Sequence, residues 1–112
     1  MTNANAVVST LAGAALSSGS NNGTGTGALF NSPKGITTDG INLYVADSSN
    51  HTIRQIVIAT GAVTTLAGTA LTLGAIDGSG TSARFWSPWG ITTDGTRLLI
   101  GDSAGGTLRV MQ

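Results

Sequence analysis

A shift of 55 residues lays the chain on itself without a gap, and this duplication constrains the fold more than any other feature. Val8 falls on Val63, Thr10–Gly13 on Thr65–Gly68, and Gly23 and Gly25 on Gly78 and Gly80. Phe30 falls on Phe85, Ser32-Pro33 on Ser87-Pro88, and Gly35–Gly40 on Gly90–Gly95. Asp47-Ser48, Thr52 and Arg54 fall on Asp102-Ser103, Thr107 and Arg109, and about half of all aligned positions are identical. Self-similarity of this period marks a solenoid, propeller or array, whose units bury their apolar faces only against one another. The repeat also decides how the N-terminus is read. Ala6–Leu16 resembles the apolar core of a secretion signal, but no Lys or Arg precedes it, and Ala62–Leu71 repeats it deep in the chain. Both are therefore read as strands. No apolar run approaches the roughly 20 residues that span a bilayer.

Each copy reads as four strands, A to D. Gly35–Thr38 is a short strand A, ended by the Asp39-Gly40 turn signal. Strand B, Asn42–Ala46, alternates with Leu43 and Val45 on one face and Tyr44 and Ala46 on the other. Asp47–Asn50 is a turn cluster, Thr52–Ile58 a β-branched strand C, and Ala62–Ala67 strand D after the Thr60-Gly61 turn. Gly13–Lys34 and Gly68–Trp89 read as long polar, Gly-rich loops, and no stretch has a helical period. The expected fold is all-β. Along residues 1–112 the order is one D strand (6–12), a full unit (35–67), then strands A to C of a second unit (90–112). The chain is circularly shifted by one strand.

Three stretches resemble NHL repeats. The first is Phe30, Pro33, Gly35, Ile36 and Asp39; the second is Leu43–Ser48 with Asn50, His51, Ile53 and Arg54; the third is Gly61 with Val63–Gly68. The second copy departs where Tyr44 becomes Leu99, Ala46 becomes Gly101 and Asn50-His51 becomes Gly105-Gly106. The resemblance implies a β-propeller of four-stranded antiparallel blades, here two per chain. Propellers take 4–8 blades, and two alone would expose apolar faces and strand edges. A self-assembled ring is therefore expected. Six blades imply a homotrimer, with an eight-bladed homotetramer as the alternative. The N-terminal D strand of one chain is expected to pair with Thr107–Met111 of the next.

Composition narrows the partners. Five Lys and Arg balance five Asp, with no Glu, and only 9% of residues are charged. Neither nucleic acid nor an anionic membrane finds a basic surface here. Without Cys there is no disulfide, thiolate metal site or thiol nucleophile. No cofactor or metal is expected. His51 is the one histidine, short of the three protein ligands of a catalytic zinc. Gly23–Ala28 and Gly78–Ala83 fit a G-x-G-x-x-A pattern, but no helix follows to complete a dinucleotide site. Asp77–Gly80 resembles a calcium turn without further carboxylates nearby. Asn22–Thr24 and Asn50–Thr52 match the glycosylation pattern and point only to exposure.

Asp47 and Asp102, with Arg54 and Arg109, recur once per copy and read as structural: each Asp caps its turn and pairs with an Arg across units. Gly35, Gly90, Phe30, Phe85, Pro33 and Pro88 read as packing and turn positions. The copies differ where Asn31 becomes Trp86 and Lys34 becomes Trp89. In a propeller the residue before strand A lies near the channel mouth. Trp89, Trp86, Lys34 and Asn31 are therefore the ligand candidates, indole being suited to sugar rings, cations or aromatic peptides. The expected function is a non-enzymatic scaffold or binding module for protein, peptide or glycan. The alternatives are a propeller-type metal-dependent lyase or hydrolase, or an RNA-binding NHL module. The lack of a leader points to a cytoplasmic product or an excised piece, while proteins with such repeats are often exported; compartment stays open.

Overall fold

Two hairpin turns fix the strand order. After Thr38 and Thr93 the chain reverses at Asp39-Gly40 and Asp94-Gly95, where both glycines adopt left-handed backbone at φ +91° and +98°. Asp39 Oδ1 accepts from the backbone N–H of Ile41 and Asn42, at 2.9 and 2.8 Å. Asp94 Oδ1 accepts likewise from Thr96 and Arg97. A short carboxylate that binds the backbone two and three residues on is the local reason for Asp here.

The computed structural model describes residues 5–112. The strands are β1 (Gly23–Thr24), β2 (Pro33–Thr38), β3 (Asn42–Asp47), β4 (Thr52–Val57), β5 (Ala62–Ala67), β6 (Pro88–Thr93), β7 (Leu98–Asp102) and β8 (Thr107–Met111). They form two antiparallel sheets, β1-β5-β4-β3-β2 and β6-β7-β8. Among the described residues there is no α-helix, only 3-10 turns at Gly25–Gly27, Ser48–Asn50 and Gly80–Ser82. The fold is all-β, as the sequence indicates, and strands A to C recur in both copies.

Two expectations need correction, and a third concerns a strand expected to pair only with a second chain. Strand A starts two residues early, at Pro33 and Pro88, because Pro33 and Pro88 pair with Asp47 and Asp102 across a bulge. The Gly-rich loop is not featureless: β1 pairs with β5, Gly23 opposite Val63, and Ser18 bridges to Phe30. Residues 6–12 belong to neither sheet. A strand exists only against a partner, and within one chain the edge expected to receive this segment, β8, belongs to the second sheet while Ala12 packs on the first. Residues 1–4, the start of the expected two-copy span, lie outside the described residues.

Each sheet has two apolar faces. On the first sheet, Val45, Ile56 and Val63 pack with Ala28, Leu43, Phe30 and Ala12 on one side. Ala46, Ile53 and Ala67, with Tyr44 and Leu66, form the other side and meet Leu98, Ile100 and Met111 of the second sheet and Ala83 and Phe85 of the loop that leads into it. Under the 55-residue repeat, Leu98, Ile100 and Met111 correspond to Leu43, Val45 and Ile56. The contact is therefore head to tail: the first face of one unit covers the second face of the other.

The turn carboxylates titrate low. Backbone N–H groups of Asn42 and Ile41, then the Tyr44 hydroxyl, hold Asp39 below its ordinary 3.8. The N–H groups of Thr96 and Arg97, then the Arg97 guanidinium, lower Asp94 further. A pKa depressed by folding contributes stability above the unfolded value and loses it as pH falls through the folded one. Carbon-detected NMR titration of the Asp39 and Asp94 carboxyls is expected to give midpoints below 3.8 for both, with Asp94 the lower. Midpoints at or above that value would contradict this hydrogen bonding.

Candidate functional site

The two sheets come closest where strand A begins. A Cβ added at Gly35 would lie 2.3 Å from the Trp89 carbonyl oxygen, so only glycine lets β2 and β6 run this close. Ser32 and Ser87 precede the two prolines with φ +53°, a left-handed conformation unusual for serine. Ser87 N–H donates to His51 Nδ1 at 3.0 Å, tying the β3–β4 turn of the first sheet to the entry of the second. His51, itself at φ +59°, is thus a junction residue, a role its sequence position did not reveal.

This approach brings Lys34 against Trp89, with Nζ 4.5 Å from the ring centroid. Such a contact is worth about 0.5–1 kcal/mol at an exposed site. Trp89 is 52% exposed and Trp86 42%. Lys34 is exposed and Asn31 half-buried. Among the described residues no hydrogen bond joins Trp86 or Asn31 to the Lys34–Trp89 pair. Their backbones serve the scaffold instead: Asn31 N–H donates to Asp47 Oδ1 and Trp86 N–H to Asp102 Oδ1, both at 2.8 Å. The pair is flanked by two shallow hollows of about 320 Å³ each. One is lined by Phe30, Pro33, Lys34 and Ile36, the other by Trp89, Gly90, Ser103 and Leu108. Indole beside an ammonium suits a ligand that offers a flat or apolar face together with an acceptor or negative charge.

A buried ion pair holds this surface in place. Arg54 and Asp47 are 1% and 0% exposed and meet at 2.9 Å. Arg54 also donates to Leu29 O, Asn21 O and Asn22 Oδ1 of the long loop, and its guanidinium lies over Phe30. Asp47 further accepts from Asn50 Nδ2. The second copy repeats this with Asp102–Arg109 at 3.0 Å and Arg109 over Phe85. The pairing runs within one sheet and not across units, because Arg54 sits opposite Val45, two residues before Asp47 and on the same face. Nor does Asp47 cap its turn; it reaches the incoming loop. Asp77, the calcium-turn candidate, bonds Arg109 at 2.9 Å. Its repeat partner Asn22 bonds Arg54, and that aligned pair was the legible signal. Among the described residues no three His, Cys, Asp or Glu side chains cluster as a metal site.

The chain matches no family model and no curated protein sequence. Solved structures do resemble it. A protein of unknown function from Bacteroides thetaiotaomicron is 31% identical over 88% of this chain, with TM-score 0.83. An auxiliary nutrient binding protein from the same organism is 27% identical over 91%, with TM-score 0.80. A third B. thetaiotaomicron structure, whose name offers it as a phosphatase, is 24% identical over 90%, with TM-score 0.79, a likeness of fold alone. The matched part is 26%, 28% and 26% of those chains, so this chain spans about a quarter of their length.

Removing one partner of a buried ion pair costs about 3–5 kcal/mol, because the other charge stays buried. Arg54→Ala is expected to lower the unfolding free energy by about that amount in urea denaturation. Arg54→Lys should recover little, since one ammonium cannot reach four acceptors in a planar fork. A loss under about 1 kcal/mol, the usual worth of an exposed pair, would show that the pair does not hold the loop.

Proposed function

We propose that the chain is two blades of an NHL-type propeller that close a ring by self-assembly. Three copies would complete six blades, and the ring would serve as a non-enzymatic binding module. Its ligand, a glycan, peptide or protein segment, would sit at the mouth where Lys34 and Trp89 meet. The observation that carries this reading is the pair of open faces. Ile53 is 0% exposed beneath the second sheet, while its repeat counterpart Leu108 is 90% exposed. Ile36 is 61% exposed, while its counterpart Ile91 packs into the interface. Part of each half of the internal contact, Leu108 on one side and Ile36 on the other, is thus repeated, uncovered, at the opposite end of the chain. A head-to-tail contact of this kind propagates until its rotation closes a ring. Burial contributes about 25 cal/mol per Å² of apolar surface, which favours closure over exposed faces.

The neighbours support the reading in two respects. Their chains are nearly four times the matched length, with room for further sheets of this kind. One carries a nutrient-binding name, in keeping with a module that holds a ligand without transforming it. An eight-bladed tetramer would satisfy the same faces with a smaller rotation per blade.

Gly90 offers a direct test. A Cβ there meets nothing within 4 Å in the single chain, although its counterpart Gly35 faces the Trp89 carbonyl. In the ring Gly90 would face the Lys34 carbonyl of the next copy. Gly90→Ala is expected to preserve the circular dichroism spectrum while native mass spectrometry shifts from trimer to monomer. An unchanged oligomer would overturn the ring. Trp89→Ala is expected to keep the assembly and weaken binding by about tenfold, or 1.4 kcal/mol, for glycans or peptides that score on an array with the parent protein. Unchanged binding would remove Trp89 from the site.

A further inference from the structure

Beside β8 lies an open slot of about 460 Å³. Thr107–Met111 form one wall and Asp77, Gly78 and Gly80 the other, with Ala83, Phe85 and Ile100 at the floor. The first copy shows what belongs there. Between β4 and Gly23-Thr24 the corresponding space is filled by β5, which pairs with both: Ile56 and Gly23 each face Val63. Val63 is 2% exposed there, packed with Ala28, Val45 and Ile56. The repeat counterparts of those three residues are Ala83, Ile100 and Met111, which all line the empty slot.

The counterpart of β5 is residues 7–12 of the same sequence. This segment already carries the backbone signature of its twin. Ala6 has φ +47° where Gly61 has +76°, and Gly13 has +91° where Gly68 has +82°. Gly13 N–H donates to Gly25 O at 3.1 Å, as Gly68 N–H donates to Gly80 O at 3.1 Å. Ala12 packs beside Phe30 on the outward face of the first sheet, as Ala67 packs beside Phe85. That bond and that packing hold the root of the segment on the face turned away from the second sheet, so the chain's own slot is not its target. Val7 and Val8 are left 84% and 93% exposed.

We propose that residues 7–12 of one copy fill the slot beside β8 of a second copy, in a register set by the repeat. Lowering the β5 numbers of the β4–β5 pairing by 55 and raising the β4 numbers by 55 places Ala12 opposite Leu108, Thr10 opposite Arg109, Ser9 opposite Val110 and Val8 opposite Met111. On its other edge the strand pairs with the slot's far wall, Val8 opposite Gly78. Val8 enters the space among Ala83, Ile100 and Met111. The joining sheet then has strands from two chains and matches the first sheet strand for strand. The proposal rests on the ring reading and adds to it the means of closure.

Engineered thiols test the register, since the chain has no cysteine of its own. Ser9 and Val110 are suitable because their twins, Thr64 and Gln55, are exposed and half-buried respectively, so thiols there leave the core intact. The double variant S9C/V110C, oxidised mildly and run without reductant, is expected to give interchain disulfides that end in a covalently closed oligomer. The control S9C/Q112C, two residues out of register at an exposed position just past β8, should cross-link at least tenfold less. Native mass spectrometry of both variants under reducing conditions separates the outcomes. An oligomer that forms no disulfide, or links equally in the control, overturns the strand exchange and leaves the ring. A monomer, or a disulfide only within one chain, overturns both.

Discussion

A sheet with apolar residues on both faces has no stable existence alone, and that constraint organises this molecule. Leu43 and Val45 point one way from β3, Tyr44 and Ala46 the other. The second sheet covers one of these faces and leaves its own far side, with Leu108 and Val110, open. The copies meet through unlike faces, so no two-fold pairing within the chain satisfies both. Burial of one interface therefore creates the demand for the next.

The packing is made possible by polar groups that are themselves buried. Arg54 and Asp47 cost several kcal/mol each to desolvate, and the structure offsets this with partners for both terminal guanidinium nitrogens and for both carboxylate oxygens, leaving only Arg54 Nε unpaired. Arg54 gathers carbonyls and an amide oxygen from the long loop, while Asp47 takes the Asn31 N–H at the loop's end. The loop that precedes strand A is thereby held against the β3–β4 turn. Lys34 follows this anchor directly, and Trp89 follows the matching anchor of the Trp86 N–H on Asp102.

Divergence between the copies falls in part on the surface that the scaffold presents and in part on buried positions such as Ala46 and Asn50. The ion pair, the Phe beneath it, the Ser-Pro entry and the Asp-Gly hairpin are retained in both. Among the residues that change are Asn31 to Trp86, Lys34 to Trp89 and Asn50-His51 to Gly105-Gly106. The Lys34–Trp89 contact arises from this difference: two lysines would repel, and two tryptophans would lose the cation. His51 likewise links the sheets at Ser87, whereas Gly106 has no side chain to offer.

By itself the sequence determined the all-β class, β2 to β5 and β8 to within two residues, the hairpin turns and the repeat that places β6 and β7 in the second copy. Those follow from local chemistry: alternation, β-branching and the carboxylate-glycine turn. It also singled out Lys34 and Trp89, because a difference between otherwise identical copies is visible in one dimension. Only the tertiary structure decided that these two touch, that Asp47 serves the incoming loop, that β1 joins the sheet, and that residues 6–12 find no partner within the chain. Each of these depends on which distant backbone segments meet. Two residues of β1 carry too little pattern to announce a strand, and Gly35 reveals the closeness of β2 and β6 only once the Trp89 carbonyl is found 2.3 Å from where its Cβ would stand.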